Sequence, residues 1–218
     1  YDPTYSYEMA VIIHDGMQRM YVDQEDVYYY ITAMNENYHM PEMPEGAEEG
    51  ILKGMYLLQG GGKKKKKVQL MGSGTILREV IAAGELLKKE YDINSDVWSG
   101  TSFNELRREA LHVSRWNMLH PKDSPKESHV QGCLQGRDGP VIAATDYMKI
   151  YADQIREFVP NRYKVLGTDG FGRSDTREKL RHFFEVSAKD IAYTALVALF
   201  EAGEIDKKVL AAAKTKLN

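Results

Sequence analysis

The sequence predicts an α/β fold, a mainly parallel sheet flanked by helices, and three observations carry that prediction. Short apolar runs alternate with amphipathic stretches of roughly 12–16 residues, the pattern of strand–helix–strand crossover units. One run, Val27-Tyr28-Tyr29-Tyr30-Ile31-Thr32, is dense in β-branched and aromatic residues and shows no polar alternation, as a strand buried on both faces would. Glycine-bearing turns then follow strands, at Gly72-Ser73-Gly74 and again over Gly167 to Gly172.

In chain order, Tyr1-Asp2-Pro3-Thr4 reads as a turn, because proline sets its own φ and biases the residue before it to extended geometry. Met9, Ile12, Ile13, Met17 and Met20 recur at helical spacing, so a helix is expected from Tyr5 to Tyr21, weakened a little by Gly16. The 27–32 strand follows. Pro41 and Pro44 forbid a continuous helix beyond it, leaving room for one short helix within Glu45 to Leu58.

Val68 to Met71 is expected as a strand, with a helix from Ile76 to about Tyr91 and a second strand at Asp96-Val97-Trp98. Ser102 and Glu105 have capping-box spacing and open a helix running from Phe103 towards Leu119. Val130 to Leu134 and Val141 to Ala144 read as further strands. Thr145 is expected to cap a helix with Met148, Tyr151, Ile155 and Phe158 as its inward stripe, ended by Pro160. Tyr163 to Leu166 is another strand. Helices from about Ser187 to Glu201 and from Asp206 to Leu217 close the chain.

Composition excludes several classes. At 43% hydrophobic and 28% charged the chain is globular rather than disordered, and a net charge of −3 draws it to neither nucleic acid nor membrane. The one cysteine, Cys133, cannot form an internal disulfide and points to a reducing compartment. The chain opens on Tyr1 in mid-phrase, which reads as a piece of something longer. Lys63 to Lys67 are five like charges without interleaved aromatics, a solvated linker rather than a nucleic-acid site, and the domain boundary is placed there.

Few residues carry a chemical signature. Gly72-Ser73-Gly74 could seat a phosphate on free backbone amides, but a dinucleotide fingerprint needs glycine where Leu77 stands. Asp92 and Asp96 lie near the distance of a ribose-binding acid, so nucleotide binding stands beside a plain strand-to-helix turn. Gly167 to Asp175 is either an anion nest completed by Arg173 or a wide corner, with Ser174 available to cap the next helix. The six histidines form no metal-ligand pattern. His39, beside Asn35-Glu36-Asn37, sits just past the carboxyl end of the expected 27–32 strand, the usual location of a site in this fold class. Cys133 has no basic residue close in sequence and reads as a small core residue; Tyr28 to Tyr30 read as a packed interface.

Several phrases together resemble the homodimeric bacterial pyruvate dehydrogenase family: Tyr-Tyr-Tyr-Ile-Thr (28–32), Asn-Glu-Asn-Tyr-His-Met-Pro (35–41), Pro-Glu-Gly-Ala-Glu-Glu-Gly (44–50), Arg-Trp-Asn-Met-Leu-His-Pro (115–121), Thr-Asp-Tyr-Met-Lys (145–149) and Leu-Gly-Thr-Asp-Gly-Phe-Gly-Arg-Ser-Asp (166–175). The likeness runs from Tyr1 to the phrase at 203–208, fades at Gly60 to Lys67, and is to the family's carboxyl-terminal portion. It implies that 1–42 is the end of the middle, pyrimidine-binding domain, 43–67 a linker, and 68–218 a transketolase-like C-terminal three-layer domain. The activity it implies for the parent protein is oxidative decarboxylation of pyruvate on thiamine diphosphate, with transfer of the acetyl group to the lipoyl group of the dihydrolipoyl acetyltransferase core. The implied enzyme is a cytoplasmic bacterial homodimer, using no nucleic acid or membrane. Its thiamine diphosphate and Mg²⁺ ligands would lie upstream of Tyr1, so that no cofactor-binding, metal or catalytic residue carries over and the fragment alone is inactive.

Gly-Phe-Gly-Arg-Ser (170–174) resembles the Phe-Gly-x-Ser signature that shapes such C-terminal domains without binding cofactor, which favours the corner reading. Pro3-Thr4-Tyr5-Ser6-Tyr7-Glu8 is similar to a transketolase Pro-x-Asp-x-x-Glu turn, with Tyr5 in place of an Asp that touches a sugar hydroxyl. Asn35-Glu36-Asn37 replaces a Ser-Arg-Gln that meets a sugar phosphate, and Glu36 there would repel phosphate. The resemblance thus implies that Tyr5, Asn35, Glu36 and His39 border a substrate channel for pyruvate. The alternative is a non-catalytic module binding a small anion or a partner.

Overall fold

Strand β2 (Lys67–Gly72) lies at the centre of a five-stranded sheet because it is apolar on both faces: Val68 and Leu70 point into one core, Met71 into the other. The computed structural model describes residues 1–62 and 66–217. The strand order is β1-β3-β2-β4-β5, with β1 (Tyr56–Gln59) antiparallel to β3 (Asn94–Ser99) and the other neighbours parallel, including β4 (Val141–Ala144) and β5 (Tyr163–Leu166). Register pairs Leu70 with Val97 on one side and with Ile142 on the other. The α/β, mainly parallel expectation holds.

One face carries α3 (Leu77–Tyr91), α8 (Ala188–Glu201) and α9 (Lys207–Leu217), which pack Leu77, Val80, Leu87, Ile191, Leu196 and Leu217 onto the sheet. The other carries α4 (Phe103–Leu119), α5 (His129–Leu134) and α6 (Lys149–Asp153) around Met71, Trp98 and Phe103. Ser102 caps α4 by accepting from Glu105 N, while the Glu105 side chain turns to Arg108 instead of back to the cap. A third, smaller core joins α1 (Ser6–Met17) to α2 (Glu48–Lys53) through Ile12, Ile51 and Tyr56. No helix among the described residues is long and apolar enough to cross a membrane.

Several expectations are corrected. Residues 27–32 form no sheet strand: the segment is extended, bonded to the backbone of Tyr1 at Tyr30 and Thr32, and its side chains alternate. Tyr29 and Ile31 turn to the α1 core, whereas Tyr28 and Tyr30 are 86% and 76% exposed, so the tyrosines are not an interior packing. Val130 to Leu134 is helix α5, because Val130 and Leu134 are one helical turn apart and both buried, and Ser128 caps it from Gln131 N. The 145–160 helix breaks into α6 and a 3₁₀ turn at Arg156–Phe158; Met148 is exposed, and Thr145 bonds Tyr147 N and Ser73 rather than capping a helix. The expected 45–58 helix shortens to α2, ends at Gly54 in the left-handed region, and gives way to β1. Thr176, not Ser174, caps the short α7 (Arg177–Phe183). Of the lysine run, Lys63 to Lys65 lie outside the described residues, while Lys67 begins β2 with Nζ 2.7 Å from Asp96.

Candidate functional site

From β2 the chain crosses to β3 on one side, and from β4 it crosses to β5 on the other, so the connections part between β2 and β4. The carboxyl ends of those strands therefore open a crevice, the place where sheets of this kind bind ligands. Its walls are the turn after β2 (Ser73, Gly74, Thr75), the turn after β4 (Thr145, Asp146) and the glycine loop after β5.

The first four residues of the chain plug one end of this crevice. Asp2 N donates to Thr101 O (2.8 Å), Gly74 N to Asp2 O (3.1 Å), Thr4 Oγ1 to Gly74 O (2.7 Å) and Thr32 Oγ1 to Asp2 Oδ1 (2.6 Å). Gly74 sits at φ +48°, and a Cβ there would lie 2.6 Å from the Asp2 carboxylate. The glycine turn thus makes room for a carboxylate of the chain itself, not for a phosphate. Burial lifts the Asp2 carboxyl above its ordinary range, opposed by the Thr32 hydrogen bond. Asp96 is committed as well: it takes Lys67 Nζ, Arg137 Nη1 at 3.3 Å and Gly61 N at 2.8 Å, and Asp92 caps α3 in the left-handed conformation.

Helix α1 begins where Glu8 can reach back to its own cap. The Glu8 carboxylate is fully buried; Oε2 accepts from Thr4 N (2.6 Å) and Tyr5 N (2.9 Å), Oε1 from Tyr56 OH (2.7 Å) and Ser99 Oγ (2.6 Å). One side chain so ties α1 to the ends of β1 and β3. Tyr5 is buried beside it, its ring stacked on Tyr7 with centroids 5.4 Å apart, and burial pushes its phenol above the usual range.

Glu36 is held differently. Arg78 Nη1 of α3 lies 2.9 Å and Arg177 Nη1 of α7 3.0 Å from the same oxygen, Oε2. Burial opposes the charge, but the two guanidinium groups outweigh it and hold the Glu36 carboxyl below the ordinary range. Arg78 also lies over the Tyr38 ring, 4.7 Å from its centroid, and Tyr38 OH donates to Thr4 O. Tyr5 and Glu36 are therefore joined through Thr4, Tyr38 and Arg78, while Asn35 and His39 stand exposed on either side of Glu36 and Tyr38.

Residues 54–187 match the family model of the transketolase-like TK C-terminal domain, and residues 1–41 match that of the pyruvate dehydrogenase E1 component middle domain. The chain belongs to the transketolase-like C-terminal domain family. It is 61% identical over 218 residues to the pyruvate dehydrogenase E1 component of Pseudomonas aeruginosa, covering 99% of this chain and 25% of that protein. It is 57% identical over 220 residues to the one of Escherichia coli K12, covering 100% of this chain and again 25% of the relative. The chain thus spans about a quarter of the length of these relatives and resembles their C-terminal part. In fold it is similar to a Pichia stipitis transketolase mutant in complex with fructose 6-phosphate, at a TM-score of 0.60 and 16% identity over 91% of this chain and 25% of that one.

The rest of the transketolase-like crevice is a cleft of about 340 Å³ lined in part by Met34, Asp146, Phe171, Arg173 and Arg181. Its arginines are occupied by the protein itself. Arg181 reaches Glu79 (2.8 Å) and Thr75 Oγ1 (2.9 Å), and Arg173 stacks over Phe183 at 4.1 Å instead of completing a nest in the glycine loop. Cys133, contrary to the sequence reading, has a basic neighbour one helical turn back, His129, with Nε2 3.6 Å from Sγ. That nitrogen is also 2.9 Å from Met55 O, an acceptor only, so it donates there and cannot take the thiol proton. Burial pushes the thiol up to about 11.

These residues do not fit thiamine diphosphate with its metal. The glycine turn faces a carboxylate, and among the described residues no three His, Cys, Asp or Glu side chains form a group that could hold a metal ion. Sequence spacing could not have found Arg78, Arg177 or Tyr38: the ion pairs around Glu36 join residues far apart in the chain, and nothing local marks them.

Proposed function

We propose that this chain is the C-terminal part of a thiamine-diphosphate-dependent pyruvate dehydrogenase component. The parent protein decarboxylates pyruvate oxidatively and acetylates the lipoyl group of a dihydrolipoyl acetyltransferase core, as a cytoplasmic homodimer. The cofactor and its Mg²⁺ are held by residues outside this chain, which alone is inactive and serves to complete the subunit. Residues 1–42 end the middle domain, 43–67 lead into the C-terminal domain while lending it strand β1, and 68–218 form the rest of that domain. The observation that carries this reading is identity above one half along 99% or more of the chain to proteins of that name.

Tyr5, Asn35, Glu36 and His39 border the substrate channel in this reading. The crevice supports it: Met34 lies in the cleft wall, and Glu36 is paired with Arg177, which also lines the cleft. The structure also changes one argument about substrate. Glu36 in place of an arginine was expected to repel phosphate, but Arg78 and Arg177 return positive charge to the same spot. What disfavours a sugar phosphate is that both guanidinium groups are already engaged; a small carboxylate such as pyruvate needs no such clamp.

The test is acetylation of a lipoyl domain by the full-length protein with thiamine diphosphate, Mg²⁺ and pyruvate. Turnover is expected there and none from residues 1–218 alone. Failure of the full-length protein to consume pyruvate overturns the reading. Alanine at Tyr5, Asn35, Glu36 and His39 in turn, with kcat and KM unchanged throughout, removes the channel assignment.

A further inference from the structure

Two facts about the 34–39 segment stand out. Its one buried-edge charge, Glu36, is met on a single oxygen by two arginines that come from different helices. The neighbouring Tyr38 is gripped by one of the same arginines and by a backbone carbonyl of the 1–4 plug. Glu36 is 22% exposed at its side chain, Arg78 32% and Arg177 53%, so the cluster lies at the protein's edge, where water only partly screens it.

We propose that Arg78 and Arg177 are positioning residues for an anionic substrate: they hold Glu36 against α3 and α7 and cancel the negative charge it would otherwise turn towards the channel. The inference rests on the placing of this segment beside a pyruvate channel. Its physics is simple. A carboxylate stripped of its counter-ions at a channel mouth repels an incoming carboxylate, and the effect reaches over a Debye length of about 8–10 Å. Two guanidinium groups at contact distance turn that repulsive point into a local excess of positive charge. Arg78 does a second thing, since its stacking on Tyr38 fixes the backbone two residues further along.

The experiment uses the full-length protein. Arg177→Gln, on the exposed side of the clamp, is expected to raise KM for pyruvate roughly three- to tenfold with a smaller change in kcat, and more so at low ionic strength. Adding Glu36→Gln to Arg177→Gln is expected to bring KM back to within about twofold, because Arg78 then restores the single excess positive charge that the parent cluster carries. Arg177→Lys, which keeps the charge, is expected to do the same. An unchanged KM in Arg177→Gln, or a Glu36→Gln substitution that adds to the loss instead of reversing it, overturns the charge role. Hydrogen exchange of the 34–39 amides decides the clamp independently of turnover: faster exchange in Arg78→Gln and Arg177→Gln supports it, unchanged exchange in both overturns it. If Arg78→Gln does not fold, Arg177→Gln alone decides. A protein that never consumes pyruvate defeats the functional reading, whereas exchange still judges the clamp.

Discussion

The amino-terminal segment is fastened to the sheet domain at two places by the same chemical group, and the two fastenings work on different physics. At Glu8 a carboxylate with no exposure accepts four hydrogen bonds, from two backbone amides and two hydroxyls. No formal cation is among its hydrogen-bond partners; the charge is borne by directed donors, which salt cannot screen. At Glu36 a carboxylate on a side chain only 22% exposed is met by two formal cations at 2.9 and 3.0 Å, with little directed bonding. The first arrangement suits a joint that must not move. The second suits a place where charge itself matters, since ion pairs near the surface contribute little stability, a median of about 0–1 kcal/mol.

Removing Glu8 attacks that comparison most directly. Glu8→Ala leaves Tyr56 OH, Ser99 Oγ and two amides without their acceptor in a dry interior, so a loss of about 3–5 kcal/mol is expected, read by urea denaturation. A loss under about 1 kcal/mol would mean that water or Tyr7, whose hydroxyl is 2.6 Å from that of Tyr56, takes over, and the two fastenings would no longer differ in kind. Next in size is Gly74→Ala, which adds a methyl 2.6 Å from the Asp2 carboxylate at φ +48°. It is expected to cost about 1–3 kcal/mol and to lower the melting temperature, because both strain and the Asp2 contact act on one turn.

The sheet was far more legible in the sequence than the site. β2, β3, β4 and β5 were readable because their apolar runs are short, bounded by turn residues and backed by periodic helices. One error comes from using β-branched and aromatic content without asking what covers it. Residues 27–32 have strand composition, yet their backbone bonds to Tyr1 and, at Val27 N, to Glu25 O rather than to a neighbouring strand, so they stay extended and partly exposed. Val130 to Leu134 looked like a strand although Ser128 and Gln131 already had capping spacing, a signal that was present and outweighed. β1 was missed because Tyr-Leu-Leu-Gln is equally good helix. Of the candidate site, Glu36 and Tyr5 were visible as departures from a motif; the arginines that define the chemistry of Glu36 are long-range partners that no local pattern announces.

The plug supplies the pH arm of the comparison. Asp2 is buried with Oδ2 lacking a hydrogen-bond partner, and its carboxyl is raised above its ordinary range, chiefly by burial. The folded chain therefore binds that proton more tightly than the unfolded chain. The stability this contributes is full below the ordinary carboxylate range and is lost as pH rises through the raised value. Asp2→Asn, uncharged at every pH, is expected to be more stable than the parent by about 1 kcal/mol at pH 7, with the gap closing as pH falls towards 4. A gap that widens on acidification would show that Asp2 is stabilised as the anion, making the plug a second joint of the Glu8 kind.

The smallest stability effect is expected at Glu36. Glu36→Gln removes the charge that Arg78 and Arg177 share in a cluster at the protein's edge, so a change within about 1 kcal/mol is expected. Glu36 is held below the ordinary range with burial working against it, so its contribution is present above that range and fades only as pH drops through the lowered value. The parent and Glu36→Gln should accordingly show parallel stability profiles from neutral pH down to about 5, and differ, if at all, below it. Raising salt to about 1 M, where the Debye length falls to about 3 Å, should erase what difference there is. A salt-insensitive loss of several kcal/mol would place Glu36 with Glu8 as a structural joint, and the charge at the crevice rim would then have to be explained by packing alone.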